Sequence, residues 1–167
     1  GGHTLSGNRI ELTGNISNTT SNISGVQTLN FDLLLSGATR TFTASPTVAL
    51  TSGNTYALSF NGVISGDQGL ILTSNQHGKI LLAGANTYTG DTLIGNGTTN
   101  TSTTSTGSST SGFVIVGHNQ AFGTGKISAS GTQLWAQSSG LNLANDMDVV
   151  AGGLRFGGAN SMTLSGP

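Results

Sequence analysis

The stretch Leu81-Leu82-Ala83-Gly84-Ala85-Asn86-Thr87-Tyr88-Thr89-Gly90-Asp91-Thr92-Leu93-Ile94-Gly95-Asn96-Gly97-Thr98 decides how the rest of the chain is read. An apolar run ends at Gly84, Asn86 to Gly90 makes a corner, and Thr92-Leu93-Ile94 begins a new segment before Gly95-Asn96-Gly97 turns again. The pattern predicts strand, tight turn, strand. Glycines at the corners are expected to supply the positive φ that other residues resist. The β-branched and aromatic residues between them suit a pleated, half-buried surface.

Outward from this stretch the same rhythm continues. Leu5, Ile10, Leu12 and Ile16 alternate with polar residues and are interrupted by Gly7-Asn8 and Gly14-Asn15. Residues 26–35 read as one long strand ended by Gly37, and shorter strands are expected at 40–43, 47–50, 55–60, 69–73 and 79–83. Phe113 to Val116 is wholly apolar, which fits a strand buried on both faces, and further strands are expected at 126–129, 133–136, 141–143, 147–150, 154–156 and 162–164. Thr98 to Gly112 holds only Thr, Ser, Asn and Gly, cannot contribute to a core, and reads as a surface insertion within a single unit spanning 1–167.

Composition narrows the class. Only 7% of residues are charged, 34% are apolar, and glycine accounts for 27 of 167 positions against 2 prolines. Turn signals recur about every 8–12 residues, a spacing shared by sandwiches, barrels and solenoids. Helical periodicity is absent, and Asn61-Gly62 is the best of few candidates for a two-residue hairpin. Thr4-Leu5-Ser6-Gly7 returns as Thr163-Leu164-Ser165-Gly166, a hint of a larger repeat. These features favour an all-β, right-handed parallel β-helix whose turns of roughly 20–25 residues stack through inward apolar ladders. The chain reads as a segment of something longer.

Gly84 to Gly90 carries a resemblance. The run Gly-Ala-Asn-Thr-Tyr-Thr-Gly, with a leucine-rich strand before it and Thr92-Leu93-Ile94 after it, resembles the passenger-associated transport repeat of bacterial autotransporters. Asp91 stands where that repeat commonly has a small residue, and Ile94 to Thr98 fits more loosely. The motif covers about a tenth of the chain. Val116 to Gly125 and Met162 to Gly166 resemble passenger sequences in style. The resemblance implies a type V secretion passenger at the surface of a Gram-negative bacterium, outside the outer membrane. Its partners would be neighbouring coils of the same chain and an outer-membrane β-barrel. Within the motif, Leu82 and Tyr88 are expected to fill or cap the core, Gly84 and Gly90 to permit the corners, and Asn86 to bond turn backbone.

Other chemistries fare less well. Net charge is −1 and the five Lys and Arg residues are scattered, which leaves no footprint for nucleic acid. Cysteine is absent, and with it thiolate metal sites and disulfides. No window is apolar enough for a membrane helix, and no signal peptide is evident. Asp146 and Asp148 are expected on one strand face, as a paired-carboxylate hydrolase would need, but two solvent-facing residues is the plainer reading. His3, His77 and His118 are far apart and read as turn residues. Gly152 to Asn160 lacks the aspartates of a glycine-rich calcium repeat. The Asn-x-Ser/Thr triplets at Asn15, Asn18, Asn22, Asn96 and Asn100 reflect composition. The sequence therefore predicts no enzyme, cofactor or metal. Trp135 and Tyr88 are the aromatics that would stack on a sugar, although a ladder residue or turn plug is the commoner role. The alternative function is an adhesin or self-association module that binds glycans or neighbouring cells through the uncharged stretches 41–66 and 92–125. A polysaccharide-cleaving enzyme ranks third.

Overall fold

The computed structural model describes residues 2–19, 26–47, 56–75, 77–95, 112–150 and 152–167. The chain winds through successive turns, each crossing up to three faces. The first turn holds β1 (His3–Leu5), β2 (Ile10–Leu12) and β3 (Ile16–Asn18). The second holds β4 (Gln27–Leu29), β5 (Leu33–Leu35) and β6 (Arg40–Ala44), and the third β7 (Leu58–Phe60), β8 (Ile64–Gly66) and β9 (Leu70–Ser74). The fourth has β10 (Lys79–Leu82) and β11 (Thr92–Gly95), the fifth β12 (Phe113–Val116) and β13 (Ile127–Ser130). The sixth has β14 (Thr132–Ala136), β15 (Leu141–Leu143) and β16 (Met147–Val149), and the last β17 (Leu154–Gly157) and β18 (Met162–Leu164).

Every pairing is parallel and joins one turn to the next. The first face is a seven-stranded sheet in the order β1-β4-β7-β10-β12-β14-β17, and the third face is six-stranded, β16-β13-β11-β9-β6-β3. The second face is split into β2-β5-β8 and β15-β18, with the fourth and fifth turns crossing the gap without strands. This is a parallel β-helix, as the sequence predicts, and no helix occurs among the described residues.

Register makes the inward ladders. On the first face Gln27, Leu58, Ile80, Val114, Leu134 and Phe156 form one column, and Leu5, Leu29, Phe60, Leu82, Val116 and Ala136 the next. On the third face Ile16, Phe42, Leu72, Ile94, Ala129 and Val149 align. Phe42 stacks on Phe60 across the core, with ring centroids 4.5 Å apart at 14°. The tightest turn repeats after 20 residues, from Val116 to its partner Ala136, and the extra residues of longer turns fall at the corner between the third and first faces. There β13 and β14 are joined by Gly131 alone, at φ +61°, whereas residues 96–112 separate β11 from β12.

Three sequence expectations change. Residues 26–35 are two strands, because Asn30 to Asp32 forms a corner at which the Asp32 carboxylate accepts the Val63 N–H at 2.8 Å. Asn61-Gly62 is not a hairpin but a corner between the parallel-stacked faces, where a Cβ on Gly62 would lie 2.2 Å from the Phe31 carbonyl oxygen. The repeated Thr-Leu-Ser-Gly is coincidence, since Thr4 lies on the first face and Thr163 on the second. Residues 48–50 of the strand expected at 47–50, residue 55 of that expected at 55–60, and 98–111 of the Thr/Ser run lie outside the described residues.

The core ladders stay open at both ends. Leu5 and Ile10 at one end are 55% and 44% exposed, and Phe156 and Leu164 at the other are 60% and 43% exposed. Among the described residues β1 and β17 are the two terminal strands of the seven-stranded sheet, so each end presents a sheet edge. The chain is therefore expected to associate end to end, with its sedimentation-derived mass rising with concentration. Phe156→Glu should weaken that association several-fold, and a constant monomer mass for the wild type would rule it out.

Candidate functional site

The motif predicted from the sequence occupies the interruption in the second face. After β10 the chain runs over Ala85 to Thr89 in register with β8, with the Thr87 N–H donating to the Ile64 carbonyl at 2.8 Å and Thr89 to Gly66 at 3.0 Å. Leu82 and Tyr88 are fully buried. The Tyr88 hydroxyl meets the buried Thr92 hydroxyl at 2.7 Å, and burial pushes the phenol above its ordinary range. The Tyr88 carbonyl accepts the Thr124 N–H of the following turn at 3.0 Å.

Asn86 ties three turns together. Its side-chain oxygen accepts the Ile64 N–H of the preceding turn at 2.8 Å, and its Nδ2 donates to the Ala121 carbonyl of the following turn at 2.6 Å. At 1% exposure it has no water to substitute for either bond. Asn86 thus bonds the backbone of its neighbours above and below rather than of its own turn.

Gly84 and Gly90 are needed for a different reason from the one the sequence suggests. Neither is among the glycines at positive φ. A Cβ on Gly84 would lie 2.1 Å from the Gly62 oxygen, and one on Gly90 would lie 2.3 Å from the Gly69 nitrogen. They are glycines because backbones of adjacent turns touch there. Gly95, at φ +108°, does meet the conformational expectation.

In the fifth turn the gap is crossed by the compact segment His118 to Thr124. It is held by bonds from Ala121 to His118 and Gly123 to Gln120, and it plugs the core with Ala121 and Phe122. Asn145 of the sixth turn then donates to the carbonyls of Gly123 and Gly125, at 3.2 and 2.8 Å.

The remaining candidates separate. Asp146 and Asp148 do come together, but around Lys126, whose Nζ lies 2.6 Å from Asp148 and 3.9 Å from Asp146. The Asp148 carboxylate in turn holds that ammonium protonated beyond the ordinary lysine range. Lys126 lies one turn away on the same face, which is why sequence proximity could not reveal it. His3 is a strand residue of β1, not a turn residue, whereas His77 and His118 are at corners. Among the described residues no group of three His, Cys, Asp or Glu side chains could hold a metal ion. Tyr88, being buried, has no face to offer a sugar.

Trp135 is placed differently. It points outward from the first face in the column Thr28, Ser59, Leu81, Ile115, Trp135, Gly157. Its indole packs on the backbone of Gly157 and Gly158, where a Cβ would approach the ring within 2.4 and 3.4 Å. Phe113 meets it edge-on at 5.1 Å, and the Lys79 ammonium sits over both rings, 5.6 Å from Trp135 and 5.9 Å from Phe113. Partial burial lowers the Lys79 pKa. Tyr56, Lys79, Ile115, Trp135, Gln137 and Asn160 line a cavity of about 460 Å³ beside this cluster. No family model matches the chain, and neither a curated protein nor a solved structure matches it.

Two outcomes test the corner. Asn86→Ala leaves a buried N–H and a buried C=O without partners, at about 1–3 kcal/mol each, so urea denaturation should show a loss of roughly 2–6 kcal/mol. Tyr88 gives a pH signature. Its folded-state pKa lies above the unfolded value near 10, so its contribution is complete below that pH and is lost as pH rises further. The urea midpoint should fall from about pH 9 upward, and Tyr88→Phe should flatten that fall.

Proposed function

We propose that this chain is a structural β-helical segment of an autotransporter passenger, working as a folding and export element at the surface of a Gram-negative bacterium. The observation that carries the reading is the three-turn tie made by Asn86, at the centre of the run that resembles the transport repeat. A passenger emerging from an outer-membrane barrel has no ATP to draw it outward. A solenoid supplies a bias locally, because each turn docks on the one already folded and closes only a short loop in doing so. Asn86 completes its bonds only when the preceding and following turns are both in place. The motif therefore acts as a latch at the point where the second face lacks strand ladders, and its work is mechanical. In this reading Asp146, Asp148 and Lys126 are a surface ion cluster and the chain is not an enzyme.

The test uses the full-length protein in its own bacterium. Asn86→Ala and Gly90→Val should each lower the passenger labelled by antibody on intact cells several-fold relative to total protein. Gln137→Ala, on an exposed corner outside the motif, should leave display unchanged. Display equal to wild type for both motif variants would remove the basis for an export role.

A further inference from the structure

The outward side of the first face departs from the rest of the solenoid. In the first turns its central column holds the polar residues Thr4, Thr28 and Ser59, and then changes to Leu81, Ile115 and Trp135. The core columns lie on the opposite side of the same strands, yet Leu81 and Ile115 are buried here too, at 3% and 5% exposure, while Trp135 is half-buried and keeps part of its ring accessible. The indole is also fixed in orientation, between the Gly157-Gly158 backbone and Phe113. Rigid aromatic surface beside convergent polar groups is the usual make-up of a small-ligand site, and about 460 Å³ falls within the usual range for one.

Charge selects the ligand. The chain has six carboxylates, Glu11, Asp32, Asp67, Asp91, Asp146 and Asp148, and none is on the first face. Two of the five basic residues are: Lys79 and Arg155, in the column Lys79, Phe113, Gln133, Arg155. The Lys79 ammonium is held above two rings at the cavity rather than extended into solvent. Tyr56 and Gln137 line the same cavity, and a phenol and a primary amide bond sugar hydroxyls as donor or acceptor. Asn160 shapes the wall, since its Nδ2 is already committed to the Ala136 and Gln137 carbonyls at 3.2 and 2.8 Å.

We infer that this cavity is a binding site for a carboxylate-bearing saccharide, with Lys79 facing the carboxylate, Trp135 and Tyr56 against the apolar sugar surface, and Gln137 on a hydroxyl. The site stands apart from the export motif and does not rest on it.

Trp135 is the sole tryptophan and so reports on its own site. Titration of the segment with a trimer of hexuronic acid should change its emission saturably. The methyl-esterified trimer, which keeps the hydroxyls and loses the charge, should bind at least about tenfold more weakly, a difference of ~1.4 kcal/mol. Lys79→Gln should lose affinity to the same degree, Gln137→Ala several-fold, and Lys126→Gln on the third face not at all. Absence of a saturable change up to about 10 mM sugar would overturn the inference. Equal binding of the esterified trimer, or equal weakening by Lys126→Gln, would overturn it too, the latter by showing only diffuse attraction. The comparison of free and esterified sugar uses the unaltered chain and holds whether or not the Lys79 variant folds.

Discussion

A solenoid satisfies its backbone along the strands without help, but where the chain bends out of the ladder at a corner some N–H and C=O groups need other partners. Asn and Asp side chains fill that need here. Asn15 accepts from Thr41, Asp32 from Val63, Asn86 from Ile64, Asp91 from Lys126 and Asn119 from Asn142, each at 2.8–3.0 Å. In every case the side-chain oxygen of one turn receives the backbone N–H of a neighbouring turn. The amide nitrogens of Asn86, Asn145 and Asn160 donate to backbone carbonyls of another turn. The scarcity of charge follows from the same constraint. Stacked turns place like residues about 4.8 Å apart, where a column of one charge repels itself. Neutral amides can recur at that spacing and also bond one another, as Asn61 does to Asn30 at 2.9 Å.

Close stacking makes the second demand. At Gly62, Gly84, Gly90, Gly125 and Gly166 an added Cβ would fall within 2.3 Å of a carbonyl oxygen or amide nitrogen of an adjacent turn. These residues are set by contact, not by dihedral angle. The apolar columns between the corners then need only to match in size, which Leu, Ile, Val and Phe do in changing order along the stack.

The rhythm of the fold was legible in the sequence because glycine and asparagine mark most corners. It failed at Asn30 to Asp32, where a corner without glycine sits inside a run so apolar that it reads as one strand. The motif was legible as a unit, but its reasons were not. Periodicity places Asn86 on a turn, whereas its two partners, Ile64 and Ala121, are 22 and 35 residues away. The cavity was out of reach for the same reason, since Tyr56, Lys79, Trp135 and Asn160 belong to four different turns. The outward placement of Leu81 and Ile115 is likewise hidden, because Ile80-Leu81-Leu82 and Val114-Ile115-Val116 are apolar throughout and show no alternation.

The corner between the third and first faces accepts a single glycine at Gly131 and all of residues 96–112 in the turn before it, while the strands on either side keep the same columns. Gain or loss of sequence at that edge is thus uncoupled from the rest of the stack. Along an evolutionary lineage one rim of the solenoid is free to diversify while two are held constant. The same property makes it an engineering scaffold: foreign peptides spliced in at successive turns of that rim would emerge in a single file, spaced by the strand repeat.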